Sequence, residues 1–161
     1  MPYTMKVDGM EQISQQLSEF QEGAEKIAAL ALYDGAGIMS EEIQKSADQI
    51  TTAPFVYASG NNTRLPSPEE KAIVMNASAG IAKFDKNGSE VNTSVGYKAS
   101  GYAFLAGRRK PIPVIVNAIN SGTSFMRKQP FIRRAASSGA AKSIEAMKAK
   151  IEEAVAAITK E

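Results

Sequence analysis

Residues 120–134 read Asn-Ser-Gly-Thr-Ser-Phe-Met-Arg-Lys-Gln-Pro-Phe-Ile-Arg-Arg, a loop that leads directly into a long helix. Gly122 permits a tight backbone turn. Pro130 stands where the first residue of a helix has no hydrogen bond to lose, and Phe131 and Ile132 can bury that helix's first turn. Beyond it, Ile144, Met147, Ile151, Val155 and Ile158 recur at spacings of three and four and fall on one stripe, with Lys148, Lys150, Glu152, Glu153 and Lys160 largely outside it. Any fold for this chain therefore has to seat a long C-terminal helix launched from an ordered turn.

Upstream, Asp8 as N-cap and Glu11 three residues on form a capping-box-like start after a short strand. Met10, Ile13, Leu17 and Phe20 then keep helical spacing. Gly23 is expected to interrupt, and a second helix over 24–50 carries Ile27, Ala31, Leu32, Met39, Ile43, Ala47 and Ile50. Asp34-Gly35-Ala36-Gly37 implies either a bend in that helix or a second backbone packed against it. With no preceding strand and no Gly-Lys-Ser/Thr following, it is a poor phosphate loop. Residues 51–66 are rich in Gly, Asn, Ser, Thr and Pro and read as an arm, and Ser67-Pro68-Glu69-Glu70 then opens a short helix to about Ser78.

Residues 81–85 and 90–97 predict a hairpin turned at Asn87-Gly88, with Val91, Thr93, Val95 and Tyr97 on one side. Asp85 and Glu90 fail calcium-loop spacing. Residues 98–110, with two glycines, two aromatics and a basic run, are an arm or a long hairpin tip. Ile112, Val114, Ile115 and Val116 form a buried strand or the start of a short helix.

The chain has 161 residues, a size suited to one domain over 1–161, and contains neither Cys nor His. Thiolate and imidazole nucleophiles, disulfides and the usual zinc ligand sets are thereby excluded. An enzyme would have to rely on Ser with Lys, or on Glu41, Glu42, Glu69 and Glu70, and paired glutamates of this kind read as solvated helix faces. No catalytic residue, cofactor or metal ligand is assigned. No apolar run is long enough to cross a bilayer, and the chain reads as cytosolic at synthesis, so the sequons at Asn61, Asn76, Asn87 and Asn92 are not expected to be glycosylated.

Charge is segregated. Residues 1–90 hold 7 Lys/Arg and 13 Asp/Glu, whereas residues 91–144 hold 9 Lys/Arg and no acid. Two oppositely charged surfaces result, able to attract one another across a subunit contact or to present a basic face to nucleic acid. Arg108, Arg109, Lys110, Arg127, Lys128, Arg133 and Arg134 are the interface or DNA-channel candidates, with Tyr102 and Phe104, alongside Tyr97, as docking or stacking aromatics. No helix-turn-helix, zinc finger or ribonucleoprotein motif frames them.

The motif formed by Gly122, Thr123, Ser124, Pro130 and Phe131, followed by Ile132, Arg133 and Arg134 and a terminal helix, resembles the small neck or tail-completion proteins of the head-to-tail connector modules of long-tailed bacteriophages. Residues 3–7, 9–50, Ala53-Pro54, 80–97 and 122–160 stand in the order of that family's first strand, paired N-terminal helices, Ala-Pro, hairpin and terminal motif. The chain departs from the family in interposing residues 55–79 and in having Asn120 where an acid is common. The resemblance implies an α+β fold, a small, mainly antiparallel sheet with N-terminal helices and a long C-terminal helix. It further implies a structural virion protein at the phage neck, built in the bacterial cytoplasm. There it forms a homo-oligomeric ring, six-fold to match a tail, that touches connector or stopper proteins and tail terminator or tail tube proteins and lets DNA pass. A nucleic-acid-binding accessory protein using residues 91–144 is the alternative.

Overall fold

A computed structural model describes residues 10–55, 63–88 and 90–158, with side chains from residue 22 onward. The expected strand at 3–7, the Asp8 cap, the tip of the 51–66 segment and Lys160 lie outside the described residues. So do the side chains of Glu11, Ile13, Leu17 and Phe20.

The architecture is α+β. Helix α1 (Met10–Asp48) is followed by α2 (Pro68–Ala77), then by strands β1 (Gly80–Ile81), β2 (Asp85–Asn87), β3 (Glu90–Asn92), β4 (Val95–Gly96), β5 (Tyr102–Leu105) and β6 (Arg108–Pro111). Helices α3 (Ile112–Ser121) and α4 (Phe131–Ile158) complete the order. The strands form three two-stranded antiparallel ladders, β1 with β4, β2 with β3 and β5 with β6. The hairpin predicted over 81–97 is thus present but broken into two short ladders, with Ile81 opposite Val95 and Asn87 opposite Glu90.

No break occurs at Gly23; α1 runs through it and through Gly35 and Gly37. The reason at Gly35 is a close approach by α4. A Cβ there would lie 2.7 Å from Met147 Cγ and 2.9 Å from Ser143 Oγ. Ser143 Oγ also donates to the Gly35 carbonyl at 2.9 Å. Gly139 answers from the other helix, where a Cβ would meet Met39 Sδ at 2.9 Å and Glu42 Cγ at 3.1 Å. Glycine is retained where the two helices leave no room for a side chain. The contacts pair 46 with 131, 42 with 138 and 35 with 143, so α1 and α4 run antiparallel. Nothing crowds Gly37, and the structure offers no packing reason for it.

The packed face of α4 is formed by Phe131, Ala135, Gly139 and Ser143. Most of the long stripe noted in the sequence lies elsewhere, with Ile144, Ile151, Val155 and Ile158 between 42% and 57% exposed. Small residues set the α1–α4 contact, with Met147 seated over Gly35 and Met39 over Gly139.

Pro111 and Pro113 start a helix, so 112–116 resolves as helix rather than strand, with Ile115, Val116 and Ile119 buried. Residues 98–110 contain the tight β5–β6 hairpin, turned at Ala106 and Gly107, both with positive φ. Leu105 pins this hairpin to a core that includes Ile43, Ala47, Ile50, Val74, Ile119, Met126 and Phe131. Phe131 is fully buried, and Tyr97 meets it edge-on with ring centroids 6.3 Å apart. Phe131→Ala is expected to lower unfolding free energy by about 3 to 5 kcal/mol. Urea denaturation followed by circular dichroism measures this; an unchanged midpoint would place the ring outside the core.

Candidate functional site

The turn at 122–130 is held from several sides. Gly122 ends α3 with φ 77°, and its N–H donates to Ala118 O. A side chain at Gly122 would be strained by that φ and would also meet Lys128 Cβ at 3.0 Å. Thr123 Oγ1 accepts from the N–H groups of Phe125 and Met126 at 3.2 and 3.0 Å, closing a local Ser/Thr-type turn. Ser124 is exposed and Met126 buried. The Gln129 side chain donates to Thr51 O at 2.7 Å and accepts from Thr51 N–H at 2.9 Å. This fastens the turn to the end of α1.

Asn120 has a role that its residue type explains. Its Oδ1 accepts from Ile132 N–H at 3.1 Å, satisfying a donor in the first turn of α4 that has no partner within the helix. Ser46 Oγ donates to Phe131 O at 2.8 Å. Pro130 and Phe131 thus begin α4 at a site tied to both α1 and α3.

Sequence reading missed a second clamp. Arg64 makes a two-pronged ion pair with Glu70, both contacts at 2.6 Å. Glu70 also completes the capping box with Ser67 at the start of α2. The Arg64 backbone bridges the turn, its N–H donating to Phe125 O at 2.9 Å and its carbonyl accepting from Arg127 N–H at 2.8 Å. The stem of the 51–66 segment is therefore bound to the 122–130 turn rather than free, and Ala53 N–H donates to Pro66 O at 3.0 Å across that stem. Burial alone would raise the Glu70 pKa, but the Arg64 and Ser67 hydrogen bonds outweigh it and the net shift is downward.

The glutamate pairs are not simply solvated faces. Glu41 and Glu69 are exposed, whereas Glu42 and Glu70 are buried. Glu42 accepts from Lys142 at 3.0 Å, Ser138 at 3.1 Å and Lys45 at 3.3 Å, which pulls its pKa down to about 2. The sequence signal available for this was weak, an acid facing the acid-free half across 100 residues.

All seven candidate cations, Arg108, Arg109, Lys110, Arg127, Lys128, Arg133 and Arg134, have exposed side chains. None forms an ion pair with an acid among the described residues. They occupy three places rather than one: strand β6, the 122–130 turn and the first turn of α4. Arg134 lines a groove with Glu42, Lys45, Gln49, Ser138 and Lys142 between α1 and α4. On the outer face of the β5–β6 hairpin, Tyr102 and Phe104 are 53% and 72% exposed, and the Arg109 guanidinium lies 4.1 Å from the Tyr102 ring centre. Phe104 is directly opposite Arg109 in the ladder. Among the described residues, no group of three acids is placed to hold a metal ion, Asp85 and Glu90 included. No described helix is long and apolar enough to cross a membrane.

No family model, curated protein or solved structure matches the chain.

Because Glu42 falls from 4.5 to about 2 on folding, the stability it contributes is full above pH 4.5 and is lost as pH falls toward 2. Glu42→Gln is expected to flatten the acid side of the stability profile in that window, with Glu70 supplying the slope that remains. Denaturant midpoints measured across that range test this; a variant profile parallel to wild type would refute the Glu42 assignment.

Proposed function

We propose that this protein is a structural component of a phage neck, a tail-completion protein that forms a ring, six-fold to match a tail, joining the tail end to the head connector and letting DNA through. The resemblance of residues 120–134, and the order of the segments around them, supports this reading. The single observation that carries it is the segregation of free charge. Seven exposed cations have no acidic partner among the described residues, while Asp34, Glu41 and Glu69 stand exposed in the acidic half. A head-to-tail contact between copies brings such surfaces together repeatedly around a ring. Arg133 and Arg134 are the sharpest case, because they sit in the first turn of α4, where the helix dipole favours anions.

In this reading the partners are other copies of the chain, the connector or stopper protein on one side and a tail terminator or tail tube protein on the other. Assembly takes place in the host bacterial cytoplasm and the product resides in the virion. No catalytic role and no cofactor is assigned. Reversing the charge with Arg133→Glu and Arg134→Glu is expected to weaken ring formation and incorporation into particles. Wild-type assembly is also expected to loosen as salt is raised. Sedimentation velocity and negative-stain imaging of particles lacking the protein test this; unaltered assembly by the double variant, or complete tails joined to heads without the protein, would overturn it.

The hairpin surface favours a second reading, nucleic-acid binding. Tyr102, Phe104 and Arg109 form an exposed aromatic and cationic platform, the combination on which unpaired bases stack. If that reading holds, the isolated chain binds single-stranded DNA in a salt-dependent way, and Tyr102→Ala with Phe104→Ala weakens binding at least tenfold. Binding that is absent at low salt, or untouched by the double substitution, removes it.

A further inference from the structure

Ile144, Ile151 and Ile158 are seven residues apart on α4 and are 49%, 42% and 57% exposed. The neighbouring face of the helix is already committed to α1 through Ala135, Gly139, Ser143 and Met147. A large β-branched side chain every seven residues supplies one of the two apolar positions of a coiled-coil heptad and keeps one line of the helix facing a partner as the two wind around each other. We propose that this stripe pairs with the same stripe of a second copy of the chain, antiparallel, about a two-fold axis at Ile151.

Two features of the stripe specify that occupant. The spacing is symmetric about Ile151, so the two-fold sets Ile144 against the second copy's Ile158 and brings the two Ile151 side chains together. The flanking charges are self-complementary as well. Lys148 and Glu152, four residues apart, lie on one side of the seam. In the antiparallel pair that side faces its own copy, and Lys148 comes within about 3 Å along the axis of the second copy's Glu152, with the reciprocal contact alongside. Neither residue forms an ion pair among the described residues. The seam covers about 21 Å of helix. The contact is isologous, unlike the head-to-tail contacts that close a ring, and does not rest on the neck reading.

The chain has no cysteine, so single cysteines report the geometry directly. In the full-length protein, Ile151→Cys is expected to cross-link to a second copy under mild oxidation. Ile144→Cys alone and the more exposed Leu30→Cys are not. Sedimentation equilibrium of wild type is expected to reach at least twice 17.2 kDa with rising concentration. Ile151→Glu with Ile158→Glu should weaken the association at least tenfold, with an unchanged circular dichroism spectrum. Should that variant fail to fold, a charge swap serves instead: Lys148→Glu weakens pairing, and adding Glu152→Lys restores it. A wild type that stays a single chain, equal association by the glutamate variant, a swap that fails to restore pairing, or Ile144→Cys cross-linking as readily as Ile151→Cys would each overturn the proposal.

Discussion

Phe131 is the constraint on which the rest of this molecule depends. Its ring has no exposed surface, it is touched edge-on by Tyr97 from the strand region, and its carbonyl accepts from Ser46 on α1. One side chain at the first position of α4 thus ties together the long N-terminal helix, the strands and the C-terminal helix. Because α4 starts here and nowhere else, its course along α1 is set within its first turn. The small residues at 135, 139 and 143 then let the two helices close on one another.

Around that anchor the polar groups are arranged in knots rather than scattered. Glu70 satisfies Arg64 and the cap of α2 at once, and Glu42 collects Lys45, Ser138 and Lys142. The Glu42 knot joins α1 to α4, whereas the Glu70 knot is local and reaches the 122–130 turn through the Arg64 backbone. A buried carboxylate is tolerated only when such donors replace the water it has lost. These acids are spent on holding the domain together, whereas the cations of β6, the 122–130 turn and the start of α4 find no acid within the described chain. That asymmetry, more than the near-neutral total charge, is the observation on which the proposed assembly rests.

The hairpin of β5 and β6 and the outward stripe of α4 share a property. Each exposes large apolar side chains beside charges, and each rests on a buried anchor, Leu105 in one case and the α1 contact in the other. Surfaces of this kind on rigid elements are suited to contact with other macromolecules. The two lie on different elements and offer different chemistry, aromatic with arginine on the hairpin and aliphatic with paired charges on the helix.

By itself the sequence determined the local grammar. The Ser67 capping box, the Pro130-Phe131 helix start, the Gly122 turn and the hairpin turned at Gly88, one residue beyond the expected Asn87-Gly88 pair, are each specified by residues within a few positions of one another. Short-range sterics and capping decide such features before any tertiary contact forms. Tertiary structure alone decided what those rules leave degenerate. Gly23 read as a break and is helix interior, Gly35 allowed a bend or a packed backbone, and residues 112–116 allowed strand or helix. For α1 the close approach of α4 explains Gly35; for 112–116 burial of Ile115, Val116 and Ile119 settles the matter. The α4 stripe shows the limit most plainly. Periodicity placed its isoleucines on one face, but which face meets α1 depended on the space beside Gly35, which Ser143 and the unbranched Met147 fill. Likewise nothing near Glu42 in sequence distinguishes it from its exposed neighbour Glu41, because Ser138 and Lys142 arrive only when α4 packs, whereas Glu70 is marked out locally by Ser67 three residues before it.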